Sequence, residues 1–140
     1  MFEFVVSVSN DSNSSVTSEF LDAMERELNI QFPQILREYY LQYNGAEIKE
    51  CEFVRQGIEF CVIDMLQFHI GLGKLEQVIN ISFENKHLPT GYIPFAGECE
   101  GDYFYWNSNT GEIYFISFQN MEHPVLICNS MEEFFDILNA

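Results

Sequence analysis

The side chains of this sequence best placed to do chemistry are carboxylates. In residues 93–106, IPFAGECEGDYFYW, Glu98, Glu100 and Asp102 occupy every second position directly before four aromatics, Tyr103, Phe104, Tyr105 and Trp106. Two carboxylates about 5–10 Å apart can divide the roles of acid and base in a hydrolysis, which would pair Glu98 with Asp102 or Glu100. Nothing else in the chain supports that reaction. A calcium loop would use the same acids, but its D-x-D-x-D-G pattern with a terminal Glu is missing. The turn itself accounts for two residues of the stretch: Gly101 tolerates backbone conformations that other residues resist, and the short Asp102 side chain suits bonds to nearby amides. Glu98 and Glu100 have no such duty. They are expected on a loop, where their charge meets either a partner or only water.

Nucleophiles and metal ligands are no better supported. Cys51, Cys61, Cys99 and Cys128 lie far apart, without a C-x-x-C pair or an accompanying H-x-x-x-H, so metal-ligand spacing is absent. Catalysis by a Cys–His pair would need one of these thiols beside His69, His87 or His123, and no nucleophile signature surrounds any of them. Cys61 and Cys128 fall inside apolar strand patterns, which predicts buried, inert thiols. His69 follows Phe68 in a strand-like run and reads as a packed or surface histidine. The phosphate, dinucleotide, nucleophile-elbow and zinc-protease motifs are missing, and Gly71-Leu72-Gly73-Lys74 is too short to count. The expectation is a protein without catalytic residues, metal ligands or cofactor, and not an enzyme.

Charge is the unusual quantity. There are 22 acidic residues against 6 basic ones, a formal net charge of −16, and no Lys or Arg follows Lys86. Such a field repels nucleic acid and anionic lipid, and it steers a basic partner inward, raising association rates by roughly 10–10³ at low ionic strength. Excess acid also serves solubility, and charge alone weights the two uses equally. A second group of acids, Glu47, Glu50, Glu52 and Glu59, lies between Ala46 and Asp64 and is partly offset by Lys49 and Arg55. At a sheet edge these charges would also discourage strand-to-strand aggregation. The N-terminal MFEFVVSVSND has no basic region, and no run of 18 apolar residues occurs; with free thiols, this predicts a cytoplasmic location and no membrane partner.

These acids must be positioned by a framework that the patterning outlines. The chain has 140 residues and is 47% hydrophobic, with 14 Phe, 7 Tyr and one Trp, enough to build one core in a single domain spanning 1–140. Phe2, Phe4, Val6 and Val8 alternate as a short strand before the polar loop of residues 9–15. Phe20, Leu21, Met24 and Leu28 then fall at helical spacing, with Ser15 or Thr17 as cap. A second helix starts after Pro33, carries Ile35, Leu36, Tyr39, Tyr40 and Tyr43 on one stripe, and closes at Asn44-Gly45. Its tyrosines read as core with their hydroxyls at the rim. EIKECEFV and IEFCVID flank Gln56-Gly57 as a hairpin. Leu75, Val78, Ile79 and Phe83 predict a third helix over 74–86. GYIPFAG, DYFYWN, EIYFISF and PVLIC, separated by turn residues, predict an antiparallel meander. Ser130-Met131-Glu132-Glu133 is a capping box for a closing helix. The fold class expected is therefore α+β: a mainly antiparallel sheet of about five to six strands, flanked by N-terminal helices, one middle helix and a C-terminal helix.

In this order and with these residues the chain resembles the SUKH superfamily, whose bacterial members are mostly immunity proteins of polymorphic toxin systems. Residues 20–48, FLDAMERELNIQFPQILREYYLQYNGAEI, are similar to the family's opening: an acidic amphipathic helix, an apolar residue before Pro, an aromatic second helix, then Asn-Gly and a strand. Residues 92–118, YIPFAGECEGDYFYWNSNTGEIYFISF, resemble its Ile-Pro-Phe start, a Gly then Asp before an aromatic strand, and a further Gly before the next. Residues 130–138, SMEEFFDIL, resemble its terminal helix, with Met131 where the family usually has Phe. The turn at 97–101 is richer in acid than the family's, and residues 49–90 match no family pattern.

The resemblance implies a non-enzymatic protein that binds and neutralises one cognate toxin domain. The acidity makes this concrete, because a nuclease must hold a polyanion and so carries a basic cleft that an acidic binder can occupy. Partner-binding residues expected on this reading are Glu47, Glu50, Glu52, Glu59, Glu98 and Glu100, in a monomer or weak homodimer that does not itself contact nucleic acid. The alternative is a regulatory protein-interaction domain without a toxin partner.

Overall fold

The structure, a computed structural model, describes residues 2–8, 16–66, 91–117, 119 and 123–140. The helix expected over 74–86, His69, His87 and the 71–74 segment all lie outside these residues.

Helix α1 (Ser18–Leu28) begins where the Thr17 hydroxyl accepts a hydrogen bond from the Phe20 amide at 3.1 Å, satisfying one of the amides a helix start leaves without a partner. It ends at Asn29, whose left-handed backbone (φ 55°) suits that residue type. Helix α2 (Gln34–Tyr43) follows Pro33, which caps it without needing the N–H that proline lacks. Arg37 ties the pair together: its guanidinium bonds Glu25 at 2.9 Å, Asp22 at 3.1 Å and the Ser18 hydroxyl at 3.1 Å. Glu25 in turn accepts the Phe32 amide at 2.7 Å, fixing the connection between the two helices.

Among the described residues the larger sheet is a meander. Strands β3 (Cys51–Arg55), β4 (Ile58–Met65), β5 (Tyr92–Glu98), β6 (Tyr103–Asn107), β7 (Ile113–Ile116) and β8 (Val125–Cys128) lie in sequence order, each antiparallel to the next. The expected β3–β4 hairpin forms around Gln56 (φ 52°) and Gly57 (φ 74°), the two positive φ angles of a tight two-residue loop whose twist matches the strands. One expectation is corrected. EIKECEFV is not one strand, because the chain changes sheets at Lys49-Glu50. Glu47 belongs to β2 (Glu47–Ile48), which pairs with β1 (Val5–Ser7) in a separate two-stranded sheet. The Lys49 amide donates to the Phe4 carbonyl at 2.8 Å, which holds the chain to β1 at that point.

Helix α3 (Met131–Asn139) is capped by Ser130, whose hydroxyl accepts the Glu133 amide at 3.1 Å. The return arm of the expected capping box reaches one residue further back, with Glu133 accepting from the Asn129 amide at 3.4 Å. Met131, Phe134, Phe135 and Leu138 are its buried face, Phe134 packing on Phe53, Phe95 and Phe104 of the sheet and Phe135 on Phe2, Phe4 and Tyr39. Around them the core is a lattice of rings: Phe104 lies 6.0 Å from Phe53, 5.4 Å from Phe115 and 5.4 Å from Phe134, contacts that add about 0.5–1.5 kcal/mol per pair beyond area burial. Tyr39 and Tyr40 are buried and Tyr43 half-buried, as the helical stripe predicts. Tyr40 donates its hydroxyl to the Leu66 carbonyl at 2.9 Å. The architecture is α+β, with two helices before the six-stranded antiparallel sheet and one after it.

Candidate functional site

The groove of this protein arises from a mismatch in strand length. β4 has eight residues, but its registered pairing with β5 covers only Val62 to Met65. Beyond it the Cys99 amide reaches the Cys61 carbonyl at 3.3 Å, and the β3–β4 hairpin then runs past the short β5–β6 turn. The sheet curls so far that the hairpin tip meets its last strand, Gln56 Nε2 donating to the Leu126 carbonyl at 2.8 Å. Phe60 of β4 packs on Phe115 of β7, centroids 5.1 Å apart. Between hairpin, turn and β7 an open groove of about 540 Å³ remains.

Among the described residues lining it five are acids, Glu52, Glu59, Glu98, Glu100 and Asp102, and none is Lys, Arg or His. Phe53, Phe60 and Phe115 form apolar wall, and Val54 and Ile58 are exposed at the rim. Four of the six glutamates expected to bind a partner therefore meet in one place. Glu50 joins them at one remove, its carboxylate 3.4 Å from the Cys61 sulfur. Glu47 stands apart, exposed on β2.

Glu98 is not on the exposed loop where the acid-rich turn placed it. β5 runs through Glu98, which is opposite Val62 and only 7% exposed. Its amide donates to the Asp102 carbonyl at 2.9 Å, and its carbonyl accepts from the Gly101 amide at 3.0 Å, closing the turn. Gly101 takes φ 96°, the conformation its identity predicts. Glu98 Oε1 accepts from the Cys99 thiol at 3.2 Å, and Oε2 is buried with no hydrogen-bond partner. A Cβ at its neighbour Gly97 would collide with Oδ1 of Asp64 on β4, the end of an exposed side chain that would have to swing away. Partial burial still pushes the Asp64 carboxyl above its usual range, opposed by the Gly97 amide bonded to it.

The register also brings together two thiols that sequence reasoning kept apart. Cys61 and Cys99 lie side by side within hydrogen-bonding reach on the groove wall. Cys61 is only partly buried, contrary to expectation; burial, the Glu50 carboxylate and Cys99 together push its thiol up to about 12. Cys99 is exposed, and its thiol is raised by the hydrogen bond it gives Glu98 and then by desolvation. Thiolate is the nucleophile, so neither cysteine is activated. Among the described residues no group of three or more His, Cys, Asp or Glu is arranged to hold a metal ion. The groove's chemistry is an array of acceptors over an aromatic wall.

The sequence model of the SMI1 / KNR4 family (SUKH-1) matches residues 15–137. The chain belongs to that family. No curated protein matches it. The SUKH resemblance read from residues 20–48, 92–118 and 130–138 thus extends through the chain, and those segments form α1, α2, β2, β5 to β7 and α3. Glu52 and Glu59, by contrast, come from 49–66, the part of the SUKH domain where no family pattern was legible. The groove is framed by elements that carry the resemblance and lined in part by residues that do not. Among the described residues no helix is long and apolar enough to cross a membrane.

Proposed function

We propose that this SUKH-family protein is a non-enzymatic immunity protein that binds a cognate toxin domain and blocks it, the acidic groove meeting a basic surface on the toxin. One observation carries the reading: Glu52, Glu59, Glu98 and Glu100 converge on one open groove whose lining, among the described residues, holds no cationic side chain, with Arg55 beside it over the Phe53 ring. A nuclease is the toxin class whose substrate demands such a basic cleft. Glu50 borders the groove through Cys61, and Glu47 adds to the long-range field that steers the partner. The whole chain acts as one domain, monomeric or weakly dimeric, in the cytoplasm, without cofactor and without touching nucleic acid itself.

Co-expression with the product of the neighbouring gene, followed by pull-down at low and high salt and a growth-rescue assay, tests this. The expected outcome is rescue of growth and a complex that weakens as salt rises. A complex indifferent to salt would remove the electrostatic mechanism. A neighbour without a toxic domain, together with a stable complex with another cellular protein, would turn the reading toward a regulatory interaction domain.

A further inference from the structure

The groove invites a specific occupant, and the argument rests on the reading above: we propose that it seats an arginine side chain of the basic partner, with the guanidinium bonded to Glu98. Glu98 is 7% exposed, one carboxylate oxygen accepts only a weak thiol donor, and the other has no partner at all. The turn does not need that carboxylate, since it is closed by the Glu98 amide and carbonyl. A buried acceptor without a donor is rare in folded proteins and marks a group that something else is meant to satisfy. The terminal torsion of a glutamate is broad and soft, so the carboxylate of Glu98, which lines the groove, can turn to meet an entering donor.

The surroundings fit a side chain that is apolar along its stem and cationic at its head. Val54 and Ile58 at the rim, with Phe53, Phe60 and Phe115 within, receive the stem, and Glu52, Glu59, Glu100 and Asp102 surround the head with negative charge. Aromatic walls favour the flat guanidinium over the compact, strongly hydrated ammonium of lysine. Arg55 of this chain already places its guanidinium carbon 5.8 Å from the centre of the Phe53 ring. A bare metal ion fits less well, because no three of the described ligand-type side chains are arranged to chelate one.

The test titrates Nα-acetyl-arginine amide into the whole ¹⁵N-labelled chain at low salt, with Nα-acetyl-lysine amide as comparator. The expected result is saturable shifts of the amides of residues 60–62 and 97–102, with a dissociation constant on the order of 1–10 mM, the range open to so small a ligand. Glu98→Gln should weaken the arginine amide at least about fivefold, the loss of a charge-assisted bond, whereas Glu132→Gln on α3 should leave it unchanged. Shifts that never saturate, equal binding by Glu98→Gln, or equal binding of the lysine amide would each overturn the proposal. The arginine-to-lysine comparison on the unaltered protein decides the matter even where the variant does not fold. Because the probe is a single amino-acid derivative, the outcome is separate from the immunity reading. No arginine binding beside a salt-sensitive toxin complex sinks the anchor alone, and arginine binding by a protein that rescues no growth sinks the immunity reading alone.

Discussion

At Glu98 the folded state's preference for satisfied buried groups stands against the acceptor role proposed for it toward a partner. An acceptor left without a donor in the interior costs about 1–3 kcal/mol. Glu98→Gln keeps the shape and removes the charge, so the free protein should gain stability. Differential scanning calorimetry should show Tm higher by about 2–5 °C, while binding through the groove falls; a lower Tm would mean that the carboxylate is structural. The neighbouring thiol reports on the same contact. Since Cys99 gives its proton to Glu98 in a hydrogen bond, its thiol titrates above the ordinary cysteine value. Less thiolate is then present at pH 7.4 than in a free cysteine, and alkylation by iodoacetamide should be slow there and climb as pH rises through and beyond the usual thiol range. Glu98→Gln keeps an amide oxygen but removes the charge, which weakens this upward push while desolvation and Glu100 keep theirs. Glu98→Gln should therefore speed Cys99 alkylation at pH 7.4 several-fold, read by mass spectrometry of the labelled peptide.

At the scale of elements, the groove depends on how β4 and β5 approach one another. Gly97 lets Asp64 come close, and the Gly97 amide bonds the carboxylate it makes room for. Gly97→Ala should cost up to about 1 kcal/mol, because Asp64 can swing away and what is lost is its bond to the Gly97 amide. Asp64→Ala on top of it should add little further loss in urea denaturation. Simple additivity of the two substitutions would show that the glycine serves another purpose. Such cross-strand contacts are where sequence reading stops. The three described helices were legible because their determinants are local: Thr17 before an amphipathic run, Pro33 ahead of the tyrosine stripe, Ser130 three residues before Glu133. The strands were legible too, because turn residues such as Gln56-Gly57 and Gly101 punctuate them. What the sequence did not disclose was register. Alternation made EIKECEFV look like one strand, although its halves pair with different partners. The acid-rich turn hid the fact that β5, third of six strands, carries Glu98 into the interior.

For the whole molecule the dominant property is its charge of −16, and what the fold adds is where that charge gathers. Composition announced an acidic protein suited to a basic partner. The curl of the meander then brings Glu52 and Glu59 of the hairpin to Glu98 and Glu100 of the turn, some forty residues away in the chain, around one groove. Charge spread evenly over the surface would serve solubility equally well from any position, and the focusing of charge on one groove is what supports the proposed recognition. The direct discriminator is the affinity for the proposed partner, sought in the product of the neighbouring gene, measured calorimetrically for two variants with the same change in net charge. Glu52→Gln/Glu59→Gln/Glu100→Gln alters the groove, and Glu19→Gln/Glu27→Gln/Glu132→Gln alters exposed positions on α1 and α3. The groove variant should lose at least about a hundredfold in affinity, roughly 2.7 kcal/mol, while the helix variant loses only the few-fold expected of a weakened long-range field. Equal losses in the two variants, with both proteins folded, would contradict the central claim that the groove is where the partner is held.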